Sequence, residues 1–306
     1  MSPNFPGLTA AVHTPFDSSG ALKVQTVPAQ ASFLAGRGIL GVFVGGTTGE
    51  WPSLTVTERM HLADAWSTAG SQNGLKVIIH AGHSALEDAR ALAGHAASLE
   101  VDAISTLSPS FLKPSSLGAL VDWCAQVAEP AASLPFFYYH IPVLTGLSFP
   151  MADFLPLASE EIPNFAGIKF TSTDFNDLEA CVNLAMEDVE ILFGVDEEIL
   201  RGLQAGCRGA VGSSYNFASP LHLALIEAHE SGALDEAGRL QKLGVQAIEA
   251  LQKAGYLPAA KQLMGRMGVE IGSARPPLVP VSEAAMDEAE EILRGLGHPD
   301  WGGGTS

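Results

Sequence analysis

The chain has few basic residues. Only 16 of its 306 residues are Lys or Arg, against 34 Asp or Glu, and the formal net charge is −18. Proteins that bind nucleic acids or anionic membranes use a basic surface to neutralise phosphate groups. The composition therefore predicts neither kind of partner. It also requires that any site for an anionic ligand supply its own positive environment.

Cysteine is equally scarce. The three cysteines, Cys124, Cys181 and Cys207, are far apart, and no two of them form a CxxC pair. This spacing argues against a disulfide framework and against a zinc ribbon. His80 and His83 occur close together in "HAGH", but no further ligand can be assigned to them, and a zinc site needs at least three protein ligands. We therefore predict that the protein holds no metal.

Targeting and membrane segments are also missing. The N-terminal "MSPNFPGLTA" lacks a basic segment followed by an apolar run, which predicts that there is no signal peptide. No run of about eighteen apolar residues predicts a membrane span. With so little cysteine, the expected location is the reducing cytoplasm.

What the sequence does contain is a repeated alternation of short β-rich runs with longer Ala- and Leu-rich segments. Most of these runs lack period-2 alternation, which is typical of parallel strands buried on both faces. The segments between them are long enough for helices. The predicted strands are residues 7–16, 41–46, 76–82, 103–109, 135–141, 165–171, 190–195 and 210–215.

Eight βα units predict a closed (β/α)8 TIM barrel with a C-terminal helical extension. A doubly wound open sheet is the alternative, but no GxGxxG motif follows the first strand. We expect residues 1–306 to form a single domain, with the barrel over about 7–225 and C-terminal helices over about 226–298.

Polar side chains lie late in several predicted strands or directly after them, and the carboxyl ends of barrel strands are where active sites lie. We therefore expect these side chains to meet at one mouth of the barrel. They are Thr47, Thr48, Tyr138, Tyr139, Lys169, Asp196, Glu197 and Ser213.

Lys169 is the most unusual of them because it lies inside the apolar run "FAGIKFT". A lysine there either extends its ammonium to solvent or is kept dry for a purpose. A dry, neutral amine can attack a ketone and form a Schiff base, which activates the neighbouring carbon–carbon bonds without a metal.

Two other segments supply complementary groups. Tyr139 is either a packed ring with a hydrogen-bonded tip or a residue that moves protons. In "GGTTGEWPSLTVTER", glycines permit close backbone approach, and the hydroxyls and amides at Thr47 and Thr48 can donate to a carboxylate. The alternative for this segment is an ordinary glycine turn before a helix capped by Thr55 or Thr57. It contains no Walker motif.

Five motifs, "GTTGE", "YYHIPVLTG", "GIKFT", "GVDEEIL" and "GAVGSSYN", occur in this order. Together they resemble the pyruvate-dependent class I aldolase family that contains N-acetylneuraminate lyase and dihydrodipicolinate synthase. The resemblance spans the barrel and the helical tail. It implies a homotetrameric (β/α)8 barrel whose strand-six lysine forms an imine with pyruvate, with no metal or organic cofactor.

Carried over by motif, the resemblance makes Lys169 the Schiff-base lysine, Tyr139 the proton-transfer residue, and Thr47 and Thr48 the binders of the substrate carboxylate. Phrases such as "IIHAG", "FLKP" and "LFGVDEEIL" resemble the animal-type N-acetylneuraminate lyase branch. That branch implies that the sugar-derived chain is contacted by Thr171, Gly194, Asp196, Glu197 and Ser213.

Two departures weaken the synthase alternative. Such synthases usually carry an arginine where this chain has Leu144, and a tyrosine pair where it has Phe111. Leucine cannot hold a second carboxylate as a guanidinium does. His140, where many relatives have Asn, is interpreted as a polar lining group of the site.

The expected reaction is cleavage of N-acetylneuraminate to N-acetylmannosamine and pyruvate. One alternative is a sibling aldolase or dehydratase acting on another 2-keto acid, such as a 2-keto-3-deoxy sugar acid or the synthase substrate. A non-catalytic sugar-acid-binding barrel is the other.

Overall fold

Eight parallel strands close into a barrel in the computed structural model, which describes residues 5–298 and 301. Each strand pairs with its neighbours along the chain, and β1 pairs with β8. The predicted (β/α)8 barrel is confirmed. The strands are β1 Gly7–Ala11, β2 Gly41–Val44, β3 Lys76–His80, β4 Ala103–Thr106, β5 Phe136–His140, β6 Phe165–Phe170, β7 Glu190–Phe193 and β8 Gly209–Gly212.

Helices surround the barrel and continue beyond it. The helix α2 begins with a capping box in which Thr55 and Glu58 satisfy each other's backbone amides, as expected for this segment. The helices are α1 Val27–Ala35, α2 Val56–Asn73, α3 Leu86–Ala97, α4 Leu117–Ala128, α5 Pro142–Thr145, α6 Met151–Glu161, α7 Phe175–Leu184, α8 Ile199–Gln204, α9 Tyr215–Glu230, α10 Leu234–Ala254, α11 Tyr256–Arg266 and α12 Glu283–Gly295.

The strands bury side chains on both faces, so the molecule has two apolar layers. Alternate residues point inward and outward: Tyr139 belongs to the layer inside the barrel, whereas Tyr138 packs in the layer between strands and helices. The inner layer consists of Phe5, Ala11, Phe43, Ile78, Ala103, Leu107, Phe137, Tyr139, Ile141, Ala166, Leu192 and Val211.

A bulge between β5 and β6 sets the position of Lys169. The register shifts at Phe136/Phe137, so that Tyr139 lies directly opposite Lys169. Gly167 makes this possible, because it adopts a φ of 150°, and a Cβ there would lie 1.9 Å from the carbonyl oxygen of Glu190. The lysine and the tyrosine are therefore neighbours by strand pairing alone.

The C-terminal extension packs beside the mouth of the barrel, which is the end formed by the carboxyl ends of the strands. Helix α10 contacts α9, α11 and α12, and it also contacts the turn at Asp196 that follows β7. Within residues 5–298 and 301, no helix is both long and apolar enough to span a membrane.

Candidate active site

A cavity of about 580 Å³ opens at the mouth of the barrel. All the residues that the sequence assigned to catalysis or substrate binding line it. They are Thr47, Thr48, Tyr139, Lys169, Thr171, Gly194, Asp196, Glu197 and Ser213. Tyr138 is not among the lining residues, because it faces the outer layer.

Lys169 projects into this cavity from β6 and is only 4% exposed. Its Nζ lies 3.7 Å from the ring centre of Tyr139 and 4.4 Å from that of Phe43. No described residue forms a hydrogen bond or ion pair with this nitrogen. The amine is thus enclosed by aromatic faces and has no partner holding it in place. Of the two alternatives raised by the sequence, the structure favours the buried side chain over one extended to solvent.

Tyr139 connects the amine to the loop after β2. Its hydroxyl lies 3.3 Å from Thr47 Oγ1, within hydrogen-bonding distance. Thr47 is exposed at the mouth and Thr48 is half-buried. Tyr139 is therefore next to both Lys169 and Thr47, and Thr48 lines the same cavity.

Two buried basic residues lie behind these groups. His80 packs edge-on against Tyr139, with ring centres 5.7 Å apart, and neither of its ring nitrogens has a hydrogen-bond partner. Burial, with Arg59 and Lys169 nearby, lowers the pKa of His80 well below its usual value and keeps the ring neutral.

Arg59 is 4% exposed and donates to the carbonyls of His80 and Gly82, the latter at 2.7 Å. Burial lowers its pKa to about 9. The guanidinium has no carboxylate partner among the described residues and contributes positive potential behind the site. This provides a local basic environment within a strongly acidic chain.

Another part of the cavity lining is acidic and hydroxyl-rich. Asp196, in the turn after β7, accepts hydrogen bonds from the Ser214 amide at 2.7 Å and from Ser213 Oγ at 3.3 Å. Burial raises the pKa of Asp196, and the Ser214 hydrogen bond opposes that shift. Ser213 Oγ also lies 2.8 Å from Tyr256 Oη. The aspartate thus orients a chain of hydroxyls along this wall.

Glu197 and Thr171 complete the wall. Glu197 is half-buried, and burial followed by the neighbouring Asp196 charge raises its pKa. Thr171 Oγ1 is buried without a hydrogen-bond partner. A Cβ at Gly194 would lie 2.1 Å from that oxygen, so this position of the Thr171 side chain requires glycine at 194. An unpaired buried hydroxyl at a cavity wall is suited to a polar ligand.

Sequence reasoning missed three lining residues in the C-terminal extension. Ile248 and Gln252 from α10 and Tyr256 from the start of α11 close one side of the cavity. Gln241 of α10 donates to the Asp196 carbonyl at 3.2 Å and accepts from the Leu200 amide at 2.9 Å. The helical periodicity of this segment predicted helices but gave no signal for where they pack.

The interpretation of His140 as a lining group is wrong. Its ring packs against Phe170 and Tyr138, with centres 5.1 and 6.4 Å away, in the layer outside the strands. Burial lowers its pKa to about 4. The alternation of β5 contained the needed signal, because His140 must face outward if Tyr139 faces inward.

Cys207 has the environment expected of a structural thiol. It is buried, and burial raises its pKa to about 12, so the thiolate nucleophile is disfavoured. Across residues 5–298 and 301, no three His, Cys, Asp or Glu side chains are arranged to hold a metal.

Comparison with known proteins gives consistent matches over the whole barrel. A family model described as the dihydrodipicolinate synthetase family matches residues 4–296. The N-acetylneuraminate lyase of Xenopus tropicalis is 39% identical over 291 residues, covering 94% of each chain. The human N-acetylneuraminate lyase is 36% identical over 294 residues, covering 95% of this chain and 92% of the human protein.

A solved structure gives the same result. The N-acetylneuraminate lyase of Proteus mirabilis superposes with a TM-score of 0.92 at 37% sequence identity, covering 95% of this chain and 98% of that one. The site geometry, the family model and these relatives all indicate the same family. The chain belongs to the dihydrodipicolinate synthetase family.

Proposed function

We propose that the protein is a Schiff-base aldolase that cleaves N-acetylneuraminate to N-acetylmannosamine and pyruvate. The observation that carries the proposal is the buried, unpartnered amine of Lys169 beside Tyr139. The relatives' names support the substrate, since lyases of this name are 36–39% identical over nearly the full chain.

Substrate binding begins at the threonine loop, residues 45–50. The hydroxyls and amides of Thr47 and Thr48 hold the carboxylate of the open-chain sugar acid, which brings its C2 ketone to Lys169. The 3.3 Å contact between Thr47 Oγ1 and Tyr139 Oη supports an arrangement in which the threonine loop lies next to Tyr139. Arg59 favours the anion from behind the loop.

The chemistry proceeds through an imine. The Lys169 amine attacks C2, and the carbonyl oxygen leaves as water. The resulting iminium withdraws electrons from C3. Tyr139 relays the C4 hydroxyl proton to the substrate's own carboxylate, the C3–C4 bond breaks, and N-acetylmannosamine leaves as the aldehyde. Protonation of the enamine at C3 and hydrolysis by water release pyruvate and restore the amine.

The acidic wall holds the remainder of the sugar. Thr171 supplies its unpaired hydroxyl, and Gly194 leaves room for that group. Asp196, Glu197 and Ser213 accept or donate hydrogen bonds to the hydroxyls of the chain. The position of these residues in the lining of the same cavity as Lys169 supports this assignment.

A panel of 2-keto acids, assayed by pyruvate release, tests the proposal. N-acetylneuraminate should give the highest kcat/KM, and Glu197→Gln should lower that value about tenfold with pyruvate imine formation intact. Preference for a 2-keto-3-deoxy sugar acid would instead identify a sibling aldolase. Ligand binding without pyruvate release would identify a sugar-acid-binding barrel.

The functional unit is a homotetramer in this proposal, and its compartment is the cytoplasm. Exposed apolar side chains at the mouth support assembly: Phe111 and Leu112 after β4, and Val143 and Leu144 after β5. Three free, buried cysteines suit a reducing compartment. Light scattering of the purified protein should give four times the chain mass of 31.9 kDa.

A further inference from the structure

The threonine loop ends at Glu50, which has an unusual backbone conformation. Among residues 5–298 and 301, it is the only non-glycine residue with a positive φ, at 57°. The Glu50 amide donates to the Thr47 carbonyl at 3.0 Å, which closes the turn that carries the two threonines. The conformation of Glu50 and the orientation of the threonines are therefore linked.

The Glu50 carboxylate is held by the C-terminal extension. Its side chain is 1% exposed, and Oε1 accepts from Lys261 Nζ of α11 at 2.7 Å. The other oxygen accepts from the Arg275 amide at 2.8 Å. Both contacts come from residues more than 200 positions away in sequence. The end of the threonine loop is thus tied to a part of the chain that lies outside the barrel.

Lys261 has no capacity left for a ligand. Its side chain is 0% exposed. The three N–H groups of the ammonium are directed to Glu50 Oε1, to the Thr14 carbonyl at 2.9 Å and to the Ser273 carbonyl at 3.1 Å. The residue therefore acts on the site only through what it holds. It brings together the loop after β1, the threonine loop and the extension.

Gly49, the residue before Glu50, is fixed by the same cluster. Thr14 Oγ1 donates to the Gly49 carbonyl at 2.7 Å, and the Thr14 carbonyl in turn accepts from Lys261. By contrast, Thr47 is exposed, and within residues 5–298 and 301 the one hydrogen bond of its side chain is to Tyr139 at 3.3 Å. Glu50, Lys261 and Thr14 do not line the cavity, so their hydrogen bonds reach the end of the threonine loop from outside it.

We propose that Glu50 and Lys261 are positioning residues that hold the threonine loop in its carboxylate-binding geometry. The inference rests on the proposed function, because it assumes that Thr47 and Thr48 bind the carboxylate of the substrate. It makes the C-terminal extension part of the binding apparatus on two sides. Tyr256 contacts Ser213 in the cavity lining, and Lys261, from the same helix, binds Glu50 at the end of the threonine loop.

A purely structural role makes a different prediction. Replacing both members of a buried ion pair with uncharged residues of similar shape often leaves stability unchanged or increased, whereas removing one member leaves an unpaired charge. If the pair served stability alone, the double variant Glu50→Gln/Lys261→Met would restore normal behaviour. If the pair positions the loop, carboxylate binding remains weakened in the double variant even when its stability recovers.

The test measures the pyruvate concentration that gives half-maximal borohydride-trapped adduct at Lys169. We expect Glu50→Gln, Lys261→Met and the double variant each to raise that concentration about tenfold, the usual effect of one charge-assisted hydrogen bond. The limiting yield of adduct should stay within about twofold, because Lys169 is untouched. Leu178→Ala, in the buried face of α7, is the stability control and should lower Tm with half-saturation unchanged.

Thr14→Val is a further test variant. Unlike Glu50→Gln and Lys261→Met, it leaves no unpaired buried charge. It removes the hydrogen bond to the Gly49 carbonyl and should raise the half-saturating pyruvate concentration about threefold. Wild-type half-saturation in the folded double variant and in Thr14→Val would overturn the inference. Failure of the wild-type protein to form any adduct would instead overturn the proposed function on which it rests.

Discussion

The surroundings of Lys169 and Lys261 form the most informative contrast in the molecule. Both lysines are buried, at 4% and 1% exposure, and both ammonium nitrogens lie over aromatic rings. They differ in their partners. Lys261 Nζ is hydrogen-bonded to a carboxylate and two carbonyls, whereas no described residue bonds to Lys169 Nζ.

The difference shows that burial alone does not make a lysine reactive. A nucleophilic amine needs a free lone pair and space for the incoming carbonyl. Burial lowers the pKa of Lys261, but the adjacent Glu50 opposes that shift and favours the ammonium. Lys169 has an open cavity in front of it and no acid bonded to it. The same residue type is structural in one region and available for chemistry in the other.

The largest expected effect comes from removing the free lysine. Lys169→Ala should lower pyruvate release from N-acetylneuraminate by about four orders of magnitude, because no imine can form. Lys261→Met should lower it only about tenfold at subsaturating substrate, through weaker carboxylate binding. The exposed Lys253→Ala is the control. Equal losses of pyruvate release in the Lys169 and Lys261 variants would contradict the difference in role between the two lysines.

Two neighbouring tyrosines allow the region around Lys169 to be tested more finely. Tyr139→Phe should lower kcat about a hundredfold, the size expected for loss of a proton-transfer group, and should leave imine formation with pyruvate measurable. Tyr138→Phe is the matched control, since Tyr138 is in the outer layer. Single-turnover kinetics would separate the two steps. A Tyr138 effect as large as that of Tyr139 would contradict the assignment.

The region around Lys261 should be sensitive to acid through His13. Burial, followed by the Lys261 charge, lowers the pKa of His13 to about 3. In the unfolded chain His13 therefore binds a proton near pH 6.5, whereas in the folded chain the ring stays neutral down to about pH 3. This contribution to the free energy of unfolding falls as the pH drops from about 6.5 toward 3, by about 1.4 kcal/mol per pH unit.

His13→Leu should remove that share of the pH dependence. The measurement is urea unfolding at several pH values between 6 and 4, with His61→Leu at an exposed position as the control. A slope in the His13 variant equal to that of the wild type would show that the ring is not excluded from protonation in the folded state.

The sequence predicted the barrel because its local signals agree. Each strand is a short apolar run, and each mouth residue lies near the end of such a run or directly after it, so the rule for barrel active sites was enough to assemble Lys169, Tyr139 and Asp196. The predicted strands extend too far toward their carboxyl ends. The first strand ends at Ala11, whereas the apolar run suggested residue 16.

The network around Lys261 could not be predicted in the same way. In "LPAAKQLMGR" this lysine has the spacing of an ordinary helical residue, and its carboxylate partner is 211 positions away. Such pairing depends on how the C-terminal extension packs against the mouth, which helical periodicity does not specify. The same reason explains why Tyr256 and Gln252 were missed as lining residues.

The most direct test is to incubate the wild-type protein with pyruvate and borohydride and to map the modified peptide by mass spectrometry. The account predicts one three-carbon adduct per chain, on Lys169, with Lys261 unmodified. An adduct on Lys261, or a Lys169 that stays unmodified at saturating pyruvate, would contradict it.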